Sequence, residues 1–300
     1  DGINDILAAY GGNPGADPYS EEDRPPGRIL ILDSETGDII SDVEVPDGSE
    51  TYMSPLIYEH PVTGSTVIFG TGGETLDGRL WIVPLSSLID GNMNNSQILL
   101  NELTGFIAPP AFADFNDDGV LDIVVHSYGG ILTAIDGYNY NILWSHNFPN
   151  GFTWTAPSLG FLDNDMIPDV LAITQYSWLG YSTKVALSGS SGEIIWSEND
   201  LWLGISSPLL ADLNNNGIDE VLYTTTSTMF YDAEEAYSAI EILYWDEEKP
   251  FMTGSGMQNG MSIGSKWIGH LTDDSNLSFV QSWSDPSSEE TLTFISLKRF

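Results

Sequence analysis

Asp114, Asn116, Asp118 and Asp122 place four side-chain oxygens at positions 1, 3, 5 and 9 of a nine-residue stretch, with Gly119 at position 6. Oxygens at alternating positions around a glycine turn suit a hard cation such as calcium, which takes six to eight oxygen ligands at about 2.3–2.6 Å. The spacing is not that of an EF-hand, whose last acid stands at its twelfth position and leads into a helix. Here the β-branched run Ile123, Val124, Val125 follows Asp122 directly, so the loop is expected to run into a β-strand.

The loop recurs. Aligned on the preceding proline, Pro110 to Asp122 spans the same distance as Pro157 to Asp169 and Pro208 to Glu220. The copy at 212–220 keeps Asp212, Asn214, Asn216 and Glu220 at the four oxygen positions and Gly217 at the turn, and is expected to bind. The copy at 161–169 keeps Asp163, Asp165 and Asp169 but has Phe161 at position 1 and Met166 in place of glycine, so it is expected to be weakened or empty. Degenerate copies lie at Asp1–Leu7, which matches Asp118–Val124, at Glu59–Gly64, and at His270–Ser278. Because the first copy opens in mid-loop, a processed or trimmed chain is expected.

Elements must hold these loops in register. Ile131–Gly137 leads to Asn141–Ser145, Val185–Gly189 to Gly192–Ser197, and Ile29–Asp33 to Gly37–Ser41, each reading as strand, turn, strand. A loop followed by such a pattern at spacings of roughly 50 residues describes the four-stranded blade of a β-propeller. The expected fold is therefore all-β, one propeller domain over 1–300 with six or seven blades, or eight if the chain is incomplete. The approximate blades are 1–50, 51–105, 106–151, 152–204, 205–260 and 261–300.

The Asp-rich loops with their strands resemble FG-GAP or integrin α-type (VCBS-like) repeats. The Gly-x-Ile-x-Trp segment ending at Trp196, with Asn141–Trp144 at the matching place, resembles the tryptophan repeats of quinoprotein-like propellers. The FG-GAP resemblance implies a calcium-stabilised propeller serving adhesion or recognition. It assigns calcium ligation to Asp114, Asn116, Asp118 and Asp122, and to Asp212, Asn214, Asn216 and Glu220, with the backbone carbonyls of Val120 and Ile218. Asp163, Asp165 and Asp169 form the weaker set.

Composition narrows the function. The 8 Lys+Arg against 44 Asp+Glu give a formal net charge of -36, and such a surface repels nucleic acid and anionic membrane, which require clustered cations. Cations or salt must offset its self-repulsion, which suits a calcium-loaded or saline setting. Cysteine is absent, which removes disulfides, thiolate metal sites and cysteine nucleophiles. No apolar run is long enough to span a bilayer.

Competing readings of these residues are structural. Asp, Asn and Gly form turns without any ion. Trp144 and Trp196, at blade-regular positions, read as packing between blades; Trp154, Trp178, Trp202 and Trp245 fall outside that register, where a ligand surface competes with further packing. His60, His126, His146 and His270 show no metal-ligand spacing. Gly260–Gly264 matches a nucleophile elbow, yet no helical pattern follows it. The excursion 11–28 reads as a solvated loop, or as a contact with a neighbouring domain.

The expected protein is a non-catalytic, calcium-binding propeller, secreted or at the cell surface, with the periplasm as a variant location. Its expected partner is a protein or glycan ligand or a surface assembly. The alternatives are a structural subunit of a surface filament, and an enzyme of quinoprotein-like or polysaccharide-active type.

Overall fold

The computed structural model describes residues 3–297 except 14, 18, 21, 178–179, 201–203, 205, 227–236, 245–250, 260–266, 270–276 and 284–290, with side chains through residue 224. The elbow-like stretch 260–264, Trp178, Trp202, Trp245 and His270 lie outside the described residues or side chains. The chain divides into two compact units, Asp1–Phe112 with Asp118–Asn147, and Ala113–Asp117 with Phe148–Phe300.

Its strands form six antiparallel sheets that follow one another along the sequence. The first is β1 (Ile6–Tyr10), β2 (Arg28–Leu32) and β3 (Ile39–Glu44). The second is β4 (Leu56–His60), β5 (Gly64–Gly70), β6 (Gly78–Pro84) and β7 (Gln97–Glu102), with the short helix α1 (Leu85–Ile89) between its last two strands. The third is β8 (Ala111–Ala113), β9 (Asp122–His126), β10 (Ile131–Ile135) and β11 (Ile142–Asn147). The fourth is β12 (Ser158–Gly160), β13 (Asp169–Gln175), β14 (Ser182–Leu187) and β15 (Ile194–Asp200). The fifth is β16 (Leu209–Ala211), β17 (Glu220–Thr226), β18 (Tyr237–Tyr244) and β19 (Phe251–Asn259), and the sixth is β20 (Trp267–Gly269), β21 (Leu277–Trp283) and β22 (Thr291–Leu297). Each oxygen-rich loop joins the first and second strands of its sheet.

The second strand has an apolar centre, Ile123–Val125 in β9 and Val170–Ile173 in β13, because it is covered on both faces. Every residue of β9 and of β13 is buried. Successive side chains of a strand point to opposite faces, and the core follows that alternation. Within the first unit, Val67, Phe69, Trp81 and Val83 of the second sheet pack with Ile29, Ile31 and Val43 of the first. Ile68, Leu80 and Ile82 of the same strands point the other way, to Ile123, Val125 and Ile135 of the third. In the second unit, Leu171 and Ala186 of the fourth sheet pack with Val221 and Tyr223 of the fifth. Trp144 is buried, and Trp196 packs against that last cluster.

The outer strands differ. Ile39, Ile142 and Ile194, which open β3, β11 and β15, are exposed. The ladders β2–β3, β10–β11 and β14–β15 each carry a bulge next to that point, a device that bends an edge strand and interrupts its pairing.

The excursion between β1 and β2 is folded onto its own unit. Arg24 Nε donates to Ser20 O at 2.7 Å and its second nitrogen to Asp17 O at 2.8 Å. Its remaining nitrogen forms an ion pair with the buried Glu50, whose other oxygen accepts from Tyr52 Oη at 2.9 Å.

Candidate metal centre

In the loop 161–169 the chain gathers three carboxylates. One oxygen each from Asp163, Asp165 and Asp169 lie within 4.8 Å of one another, the group of metal-ligating side chains found among the described residues. The loop is wound by its own acids: Asp163 Oδ1 accepts from Asp165 N at 2.8 Å, and Asp165 Oδ1 from Ile167 N at 2.8 Å. Asp169, at the start of β13 and fully buried, closes it by accepting from Leu162 N at 2.9 Å and Asp163 N at 3.2 Å.

Burial pushes the Asp169 carboxyl up to about 6, against the lowering effect of the Leu162 N–H, with the charges of Asp163 and Asp165 adding to the rise. Asp163 is likewise raised, first by burial. Three acids gathered in this way fit a hard cation: they offer oxygen donors alone, and a divalent charge offsets the burial and the neighbouring charges that raise Asp169.

The loop 212–220 spends its oxygens differently. Asp212 accepts from Asn216 N at 3.1 Å and Gly217 N at 3.0 Å, and Asn216 Oδ1 from Ile218 N at 2.8 Å. Glu220, buried, accepts from Leu213 N at 2.6 Å and from the Asn214 side-chain amide at 2.6 Å. Burial raises Glu220 first, and Asp212 and Asp219 add to it.

In the second half of the loop 114–122, Asp118 Oδ1 accepts from Val120 N at 2.8 Å. Asp122 is fully buried and accepts from Gly137 N at 2.8 Å.

One partner of these loops was not visible in the spacing. The acid at position 9 reaches a glycine in the turn after the third strand: Asp122 takes the N–H of Gly137, and Asp169 takes that of Gly189 at 3.3 Å. A Cβ on Gly137 would collide with Leu121 O, and one on Gly189 with Pro168 O, the position-8 carbonyls of the same loops. Asp136-Gly137 and Ser188-Gly189 do recur at matching places, which is the signal that could have found them.

The described histidines are tied into structure. His60 Nδ1 accepts from Val62 N at 3.1 Å and Thr63 N at 3.0 Å, so its ring winds the degenerate second loop much as a carboxylate winds the others. His126 is fully buried, which pulls it down to about 3, with His146 nearby adding to the effect.

No protein-family model and no curated protein matches the sequence. Solved structures do. BBS1N in complex with ARL6DN aligns at a TM-score of 0.51 and 12% identity, over 91% of this chain and 73% of that one. The fold is a β-propeller. Weaker likenesses to the same propeller are BamB from Moraxella catarrhalis, at 0.43 and 11% over 96% of this chain and 76% of that one, and a europium-containing methanol dehydrogenase, at 0.49 and 12% over 79% and 49%. Among the described residues no helix of this propeller is long and apolar enough to cross a membrane.

Proposed function

We propose that this is a calcium-stabilised propeller of the FG-GAP type, acting outside the cell as a recognition or assembly module for a protein or glycan partner. The observation that carries the reading is the assembly of Asp163, Asp165 and Asp169 within 4.8 Å in a loop that lacks the position-1 ligand. By the sequence repeat alone, the proposal extends the same role to Asp114, Asn116, Asp118 and Asp122 and to Asp212, Asn214, Asn216 and Glu220, with the carbonyls of Val120 and Ile218. Bound calcium supplies positive charge, offsetting part of the formal -36, while the chain's own residues set the loop conformation. The proposal places the partner on these loops.

The test is thermal unfolding in calcium and in EDTA. A ligand at about 100 times its Kd stabilises by about 2.7 kcal/mol, so the melting temperature should rise by about 4 °C for each occupied site at this chain length. An equal melting temperature in both buffers would sink the metal reading.

A further inference from the structure

Lys184, one of 8 Lys+Arg in the chain, is 2% exposed on β14. Its Nζ lies 2.8 Å from Asp200 Oδ2 on β15 and 3.9 Å from the centre of the Tyr223 ring. The antiparallel register sets Lys184 opposite Glu198 and Ser182 opposite Asp200. Directly paired residues share a face, and so do residues two apart on one strand. Lys184, Glu198 and Asp200 therefore project from one face of the fourth sheet. Glu198 Oε2 is buried there with no hydrogen-bond partner among the described residues.

One acid thus pairs with the cation beside an aromatic ring, and a second stands opposite that cation in the ladder. A buried ion pair carries a desolvation cost, and a buried carboxylate oxygen without a donor adds to it. Joining the pair covalently removes both of its charges and leaves Glu198 an amide N–H to bond.

We propose that Lys184 and Asp200 condense into an intramolecular isopeptide bond, with Glu198 carrying the proton. The ammonium first returns its proton to the Asp200 carboxylate, giving a neutral amine and a neutral acid. The Nζ lone pair then attacks Asp200 Cγ. Glu198 takes a proton from Nζ and delivers it to the departing hydroxyl, so one C–N bond forms, one C–O bond breaks and one water leaves. No oxidant or cofactor enters. Held contact between amine and carboxyl supplies the effective concentration that drives such a step. The bond would rivet the outer strand β15 to β14, beside the bulge that loosens that ladder between Ala186 and Leu187. This inference is independent of calcium.

The experiment is the intact mass of the denatured protein, followed by peptide mapping. The wild type should weigh one water less than its sequence, with a branched peptide joining Lys184 to Asp200. Lys184→Arg, Asp200→Ala and Glu198→Gln should each restore the full mass. Glu198→Gln keeps the side-chain shape, so it serves as the test if either of the others fails to fold. A wild type of full sequence mass means an ion pair only, and overturns the proposal. So does a deficit that persists in Lys184→Arg, while one that persists in Glu198→Gln overturns the role of Glu198.

Discussion

Asp219 holds Phe161 by two hydrogen bonds across 58 residues of sequence: Phe161 N donates to Asp219 Oδ2 at 2.8 Å, and Asp219 N donates to Phe161 O at 2.8 Å. The last residues of one loop are thereby fastened to the first residue of the loop in the preceding sheet. Gly160 lets the carboxylate approach, since a Cβ there would stand 2.6 Å from Asp219 Oδ2. Asp219→Ala should destabilise the protein by about 1–3 kcal/mol through loss of the acceptor, read as a lower midpoint in urea at unchanged slope. A loss below a few tenths of a kcal/mol would show that water replaces the clasp at no cost.

Met166 stands where Gly119 and Gly217 stand in the sister loops, and all three are left-handed, at φ 66, 82 and 89. A side chain in that conformation costs about 1–2 kcal/mol. Met166 is 86% exposed, so it contributes little packing to offset the strain. Met166→Gly is expected to raise stability by about 1 kcal/mol, less the entropy that glycine returns to the unfolded chain. Chemical denaturation decides it, and a clear loss of stability would refute the strain argument.

Gly189 tolerates no side chain, because a Cβ would meet the Pro168 carbonyl oxygen. Gly189→Ala should cost about 3 kcal/mol, at the upper end for overpacking, since the obstacle is backbone. The substitution should also lower calcium affinity at 161–169, by displacing the N–H that Asp169 accepts. Calorimetry showing native affinity in a folded Gly189→Ala would separate that turn from the site.

Asp169 gives the protein a pH dependence of definite sign. Its carboxyl is pushed up to about 6 in the fold, whereas an unfolded aspartate titrates near 4, at about 3.9. A raised value favours the fold below the unfolded value, and the contribution is lost as pH rises through about 6. Metal-free protein therefore carries an uncompensated cost above that pH, and bound cation removes it. The gain in melting temperature on adding calcium should grow from about pH 4 to about pH 7. A gain that is flat over this range would contradict the role given to Asp169.

The repeat spacing carried most of the fold. Pro110, Pro157 and Pro208 marked three sheets, and the β-branched runs after Asp122 and Asp169 became strands buried on both faces. The site was legible in part. Counting oxygens ranked 161–169 lowest, because that count weighs Phe161 and Met166 as losses; the backbone keeps its left-handed turn with methionine there and still gathers Asp163, Asp165 and Asp169. What spacing could not reach were bonds between distant residues. Gly137 and Gly189 support acids 15 and 20 residues away. Asp219 serves another repeat's loop, and Arg24 pins to Glu50 an excursion that composition describes only as polar. Such pairings arise from how sheets lie beside one another, which local pattern does not encode.

The alternation of Val67 and Phe69 toward one neighbour and Ile68 toward the other means that the second sheet has no interior of its own. Its interior is two half-shares, each owned jointly with the sheet beside it. A mutation at such a position is felt in two sheets at once, and unfolding of one sheet strips its neighbours. Loop side chains carry little of that shared packing and meet the next sheet through single polar contacts such as Asp219 to Phe161. A repeat can therefore exchange a ligand for His60 or Phe161, or its turn glycine for Met166, while its strands remain committed to their neighbours, which leaves the loops as the part of the chain most at liberty to acquire new partners.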